Sequence, residues 1–146
     1  MHSSRLLVGV GIDGLTALFA LLWIYTLVAR RRRGAPLGGS VRATLWAVVI
    51  SFTLAHVNRW FDLWPAHPYF PSGHETLAAC LATAAALEDR RLALLAFPLL
   101  ALLGYALVRS GWHDRMEVVA GFLLGALVMA IAARIAYRAR TESSQR

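Results

Sequence analysis

Apolar residues fall into five long blocks, separated by short polar clusters. The blocks cover about residues 6–29, 43–61, 72–87, 92–108 and 116–137. A helix rises ~1.5 Å per residue, and crossing a hydrocarbon core takes about 20 apolar residues. The pattern therefore predicts an all-α, polytopic membrane helical bundle with about five transmembrane helices. The 146 residues then form a single membrane-embedded domain, 1–146, with no room for a second globular one. A two-domain enzyme, a Rossmann fold and a disulfide scaffold are excluded.

Polar positions inside the blocks stand out against this background. Asp13 lies within the first block, where a carboxylate is costly and faces a partner or a wet cavity. Gly11 and Gly14 flank it and would allow close helix approach. The apolar stretch is longer than a signal-peptide core, and its positive charge follows rather than precedes it, so it reads as a retained helix. The second block turns polar at its far end, with His56, Asn58 and Arg59. Trp60 at its end and Trp64 and Tyr69 in the next connection suit a membrane interface. Pro98 in the fourth block is a candidate kink.

Composition agrees: 58% of residues are hydrophobic and 16% charged, with a mean hydropathy of +0.56. The net charge is +7, and all 15 basic residues are Arg. Arg30–Arg33, Arg90–Arg91 and Arg134–Arg140 flank apolar blocks, which assigns them to topology rather than to nucleic acid. Five spans place these clusters together on the cytoplasmic side. The N-terminus and the regions 56–74 and 109–117 then share the opposite face, and they contain all 5 histidines: His2, His56, His67, His74 and His113. The lone Cys80 sits within a block and forms no intrachain disulfide.

Two strings on that face carry chemistry. Pro71-Ser72-Gly73-His74 opens the third block. Ser is a good N-cap, and small residues expose amides at the positive end of a helix, where anions bind. In His113-Asp114-Arg115-Met116-Glu117, His113 and Glu117 are four apart and share a helix face. A carboxylate holding one imidazole nitrogen leaves the other free as base or nucleophile. The bland alternatives are a capped helix and an ordinary i,i+4 pair. A metal reading lacks a third ligand at telling spacing.

Together these strings resemble the type 2 phosphatidic acid phosphatase superfamily, over about residues 41–137. Its motifs are a Lys followed after six residues by Arg-Pro, then Pro-Ser-Gly-His, then Ser-Arg with a spaced His and Asp. The second motif is matched fully by Pro71–His74. The third is matched in part, by His113 and by Val118-Val119-Ala120-Gly121. Glu117 stands where the family has Asp, and Arg109 lies four residues before His113 rather than six. For the first motif the nearest equivalents are Arg59 and His67-Pro68, one residue too far apart. Members typically carry one more helix than the five expected here.

The resemblance implies a membrane lipid phosphatase that works through a phosphohistidine, without metal or other cofactor. His113 would be the nucleophile, Glu117 its orienter and His74 the general acid. Ser72, Gly73, Arg59, Arg109 and His67 would bind the substrate phosphate. The partners implied are membrane lipids and a lipid phosphate or pyrophosphate substrate, at the extracytoplasmic face of a bacterial inner membrane. Phosphoryl transfer between lipids, or non-catalytic binding or transport of a phospholipid, are the competing readings. Asp13 and His56 fall outside these motifs and read as structural polar contacts, and Glu75 has no assigned role.

Overall fold

The computed structural model describes residues 2–143 apart from Ala66 and Pro68. Its α-helices are α1 (His2–Arg32), α2 (Gly38–Phe61), α3 (Gly73–Glu88), α4 (Ala93–Arg109) and α5 (Arg115–Ser143), with a 3₁₀ turn at Arg90–Leu92. Each coincides with one of the apolar blocks to within a residue or extends beyond it at the polar ends. Gly34 and Gly111, both at φ +73°, terminate α1 and α4 in the left-handed region where a Cβ is penalised. Pro98 lies inside α4 near its start.

All five expected helices are present, but length and composition alone mark only some of them as membrane spans. Among the described residues, four helices are long and apolar enough to cross a membrane: Gly9–Arg32, Gly38–Phe61, Arg90–Arg109 and Arg115–Ala139. The exception is α3. Its 16 residues span about 24 Å, against a hydrocarbon core of roughly 30 Å. It is the central helix, packed against α1, α2, α4 and α5. Its middle, from Glu75 to Ala85, is largely buried against these neighbours, so protein packing rather than lipid surrounds most of it. Small side chains suit that position: Ala78, Ala79, Cys80, Ala82 and Ala85 are fully buried. The outer helices carry exposed Leu21, Trp46, Leu94, Leu123 and Ile135, an apolar surface suited to lipid.

The closest helix approach is between α3 and α5. A Cβ on Gly121 would lie 2.7 Å from the Ser72 carbonyl oxygen, and one on Gly125 would overlap the Thr76 carbonyl. Two glycines four apart form the small-residue stripe that lets membrane helices touch backbone to backbone. Gly11 and Gly14 make no such approach, since nothing lies within 4 Å of either added Cβ. The sequence signal was right in kind and misplaced in position.

At one end of the bundle, Arg30 and the Ser40 hydroxyl both donate to the Glu88 carboxylate, tying α1, α2 and α3 together. Arg134 lines the cavity beside them. The arginine clusters thus share one end, and the histidine strings meet at the other.

Candidate active site

Backbone geometry joins the two strings. The Ser72 amide donates to the Glu117 carbonyl at 2.9 Å. Ser72, fully buried with φ −60° and ψ 120°, is the N-cap of α3 and accepts from the Glu75 amide at 3.4 Å. Pro71 precedes that cap. Gly73 and His74 therefore begin α3 beside the first turn of α5, at the positive end of the α3 dipole.

His113 follows the turn made by Gly111. Its Nδ1–H donates to Glu117 Oε2 at 2.9 Å, with only 9% and 6% of the two side chains exposed. This fixes the tautomer and leaves Nε2 with its lone pair. The same Oε2 accepts from the Asp114 amide at 3.1 Å, while Asp114 Oδ1 accepts from the Glu117 amide at 2.8 Å. That reciprocal pair is a capping box at the start of α5, with Asp in the Ser/Thr position. Glu117 is thus anchored twice, and the imidazole with it.

His74 has a partner from outside both strings. Its Nε2 lies 3.2 Å from Asp13 Oδ1 on α1. The Trp112 ring sits edge-on to His74 at 5.9 Å, and Tyr69 sits perpendicular to His113 at 6.1 Å. On α2, His56 Nδ1–H donates to the Phe52 carbonyl at 2.8 Å, and its Cε1 lies 3.2 Å from where a Gly73 Cβ would be. One cavity of about 570 Å³ is lined by Asp13, His56, Arg59, Gly73, His74 and His113. It continues along Thr16, Ala17, Ala20, Leu77 and Leu81, an apolar slot between α1 and α3.

Other residues singled out from sequence lie elsewhere. His67 Nδ1 pairs with Asp114 Oδ2 at 2.6 Å rather than lining that cavity. Pro68, its neighbour in the degenerate first motif, is outside the described residues. Arg109 lines a different groove, between α4 and α5. The Ser72 hydroxyl is buried and spent on its cap. Asp114, one residue on from His113, is also part of this cluster. The Glu117 amide, and then His67, hold its carboxyl below the usual carboxylate range.

Ligand atoms of His67, Asp114 and Glu117 lie within 4.8 Å of one another, as a metal site requires. Each of those residues already has a partner in the capping box or in the pairs around it. From sequence, Asp13 and His56 read as structural polar contacts, whereas both line the histidine cavity. The signal for Asp13 was present, an acid inside an apolar block; His56, at a polar helix end, offered none.

The family model of the PAP2 superfamily matches residues 53–141. No curated protein and no solved structure matches the chain.

Proposed function

The chain belongs to the PAP2 superfamily, and from that membership we propose that it is a membrane lipid phosphatase acting through a phosphohistidine. The observation that carries this reading is the 2.9 Å bond from His113 Nδ1 to Glu117, made at the rim of a cavity that also holds His74. His113 Nε2 attacks phosphorus, and the bond from phosphorus to the leaving oxygen breaks. His74 delivers a proton to that oxygen. Its Nε2 faces Asp13, which leaves Nδ1 as the donating atom. Water then attacks phosphorus and gives its proton to His74, and the P–N bond breaks to release orthophosphate.

Charge on the phosphoryl oxygens is met by the Gly73 amide at the helix terminus and by Arg59. His56 Nε2 has no partner among the described residues and lies beside Gly73, so we assign it to the same oxygens. It takes the place that sequence assigned to His67 and Arg109. The apolar slot beyond the histidines accommodates a lipid tail, which supports a lipid phosphate or pyrophosphate as substrate. No step needs a metal, and chelators should leave turnover intact.

By the positive-inside rule we place the arginine end in the cytoplasm and the histidine end outside. Cysteine tags at Ser4 and Thr141 should then label from opposite sides. Phosphate release from a panel of lipid phosphates by wild type, abolished in His113→Ala, tests the activity itself. Phosphate appearing only with a second lipid acceptor would make the enzyme a transferase. Substrate binding without release by wild type would make it a binding protein.

A further inference from the structure

Glu75 is the most anomalous side chain in the bundle. It is 2% exposed, and its Oε2 has no hydrogen-bond partner. Leaving an ionised carboxylate so placed is very costly, so a buried carboxyl without a counter-ion is held as the neutral acid, a hydrogen-bond donor. It follows His74, and one step along a helix turns the side chain to another face. His74 faces the cavity described above, whereas Glu75 faces a separate one.

That second cavity is a groove of about 750 Å³ between α4 and α5. The Glu75 carboxyl forms its floor, where Oε2 lies 3.4 Å from the position of a Gly104 Cβ. Phe97, Leu100, Val119 and Phe122 make its walls apolar. Arg109 and Arg115, both exposed, also line it, and neither has a carboxylate partner among the described residues. Arg109 is five residues past Gly104 and Arg115 three before Val118, which itself touches the Gly104 position. Their backbones are thus about 5–8 Å nearer the histidine end of the bundle than the Glu75 contact.

From the histidine end along the helices, the groove offers two guanidinium groups, then one acid proton, then an apolar channel. A glycerophospholipid presents its chemistry in that order: phosphate, then ester carbonyls, then acyl chains. We propose that the α4–α5 groove is a binding site for an anionic glycerophospholipid, with its phosphate on Arg109 and Arg115 and an ester carbonyl accepting from Glu75. A polyprenyl phosphate has no ester carbonyl and would leave Glu75 unmatched. A zwitterionic lipid brings an ammonium group against the two arginines. The site is separate from the histidine cavity and does not depend on the phosphatase reading.

The test is native mass spectrometry of the full chain, released from vesicles of equal phosphatidylglycerol and phosphatidylcholine. Phosphatidylglycerol is a phosphodiester, so the readout involves no turnover. Wild type should retain one phosphatidylglycerol over phosphatidylcholine by roughly tenfold, as expected for one or two charge-assisted hydrogen bonds. Arg109→Ala/Arg115→Ala should abolish that preference. Glu75→Leu should shed the lipid, whereas Glu75→Gln, whose amide still donates, should keep it. The arginine variant changes only exposed residues, so it decides the matter even if Glu75→Leu fails to fold. Equal retention of both lipids by wild type, an unchanged preference in the arginine variant, or equal retention of a polyprenyl phosphate overturns the proposal.

Discussion

The Ser72 amide and the Glu117 carbonyl are 2.9 Å apart, a backbone hydrogen bond between residues far separated in sequence. It fixes the start of α3 against the start of α5, and with them the imidazoles of His74 and His113. The bond exists because α5 presents Gly121 to the Ser72 carbonyl one turn below. In membranes such contacts rest on packing and hydrogen bonding, since lipid supplies no hydrophobic drive between helices.

Gly121→Ala should therefore damage structure and activity together. The new Cβ would sit 2.7 Å from a backbone oxygen and 3.1 Å from Glu75 Cβ and Thr76 Oγ1, none of which is a flexible tip. Overpacking of this kind costs about 1–3 kcal/mol. Thermal unfolding in detergent should fall accordingly, and phosphate release should fall further, because the helices part at the site. Gly14→Ala meets nothing within 4 Å and should be neutral or stabilising by about 0.5–1 kcal/mol. An equal loss in both variants would mean that the glycines act through helix propensity rather than contact.

Asp13 should matter to the chemistry although it lies outside the matched stretch, residues 53–141. It lies 3.2 Å from His74 Nε2, which in the proposed mechanism leaves Nδ1 toward the substrate. Asp13→Ala should lower kcat by roughly 10- to 100-fold, at the lower end of what a disturbed acid–base group costs, with KM little changed. Asp13→Asn keeps an acceptor and should lose less. A change in KM alone would recast Asp13 as part of the substrate slot.

Block lengths and arginine clusters were enough to place five helices and to gather the histidines at one end. The central helix is apolar like the others. Its residues are small rather than large, and that is the mark of a helix enclosed by others. The two histidines of the motifs were legible because short-range rules govern them: a cap at Ser72 and an i,i+4 pair at His113. Asp13, His56 and Arg109 were not, because their positions depend on how α1, α2 and α4 rotate about α3. No local rule gives a rotation.

The proposed phosphate clamp can be apportioned by KM. Arg59 and His56 line the histidine cavity, whereas His67 is held on Asp114. Arg59→Ala and His56→Ala should each raise KM by about tenfold, one charge-assisted hydrogen bond. His67→Ala should change it by much less. Steady-state kinetics with a soluble short-chain lipid phosphate would read the difference. A reversed order would return the first motif to the site.

Asp114 gives the site end an acid limit. Its carboxyl is held below the ordinary 3.8, first by the Glu117 amide and then by His67. The folded state binds its proton less readily than the unfolded state does. The stabilisation is complete above the ordinary value and is lost as pH falls through the lowered one. Below about pH 4 the unfolding temperature of wild type should therefore fall faster than that of Asp114→Asn, which caps without titrating. Parallel curves would remove Asp114 from the acid response.

Glu117 stands closest to the chemistry, and its two hydrogen bonds separate two roles. Its Oε2 accepts from His113 Nδ1 and from the Asp114 amide, so the carboxylate both orients the imidazole and closes the capping box. Glu117→Gln retains one oxygen of similar reach, which can still cap, but it removes the charge that stabilises a phosphorylated, positively charged imidazole. If orientation and charge both act in catalysis, turnover should fall at least roughly 10²-fold, while unfolding shifts by no more than the ~1 kcal/mol of a weakened cap. Glu117→Asp keeps the charge but is one methylene shorter, so it cannot reach both partners from the same backbone position. It should retain more activity than Gln and lose more cap stability. Opposite rankings in rate and in unfolding temperature are the signature of a residue that orients His113 and caps α5 at once. The same ranking in both would mean that Glu117 serves the helix start alone, and the nucleophile's tautomer would then have to be set by another group.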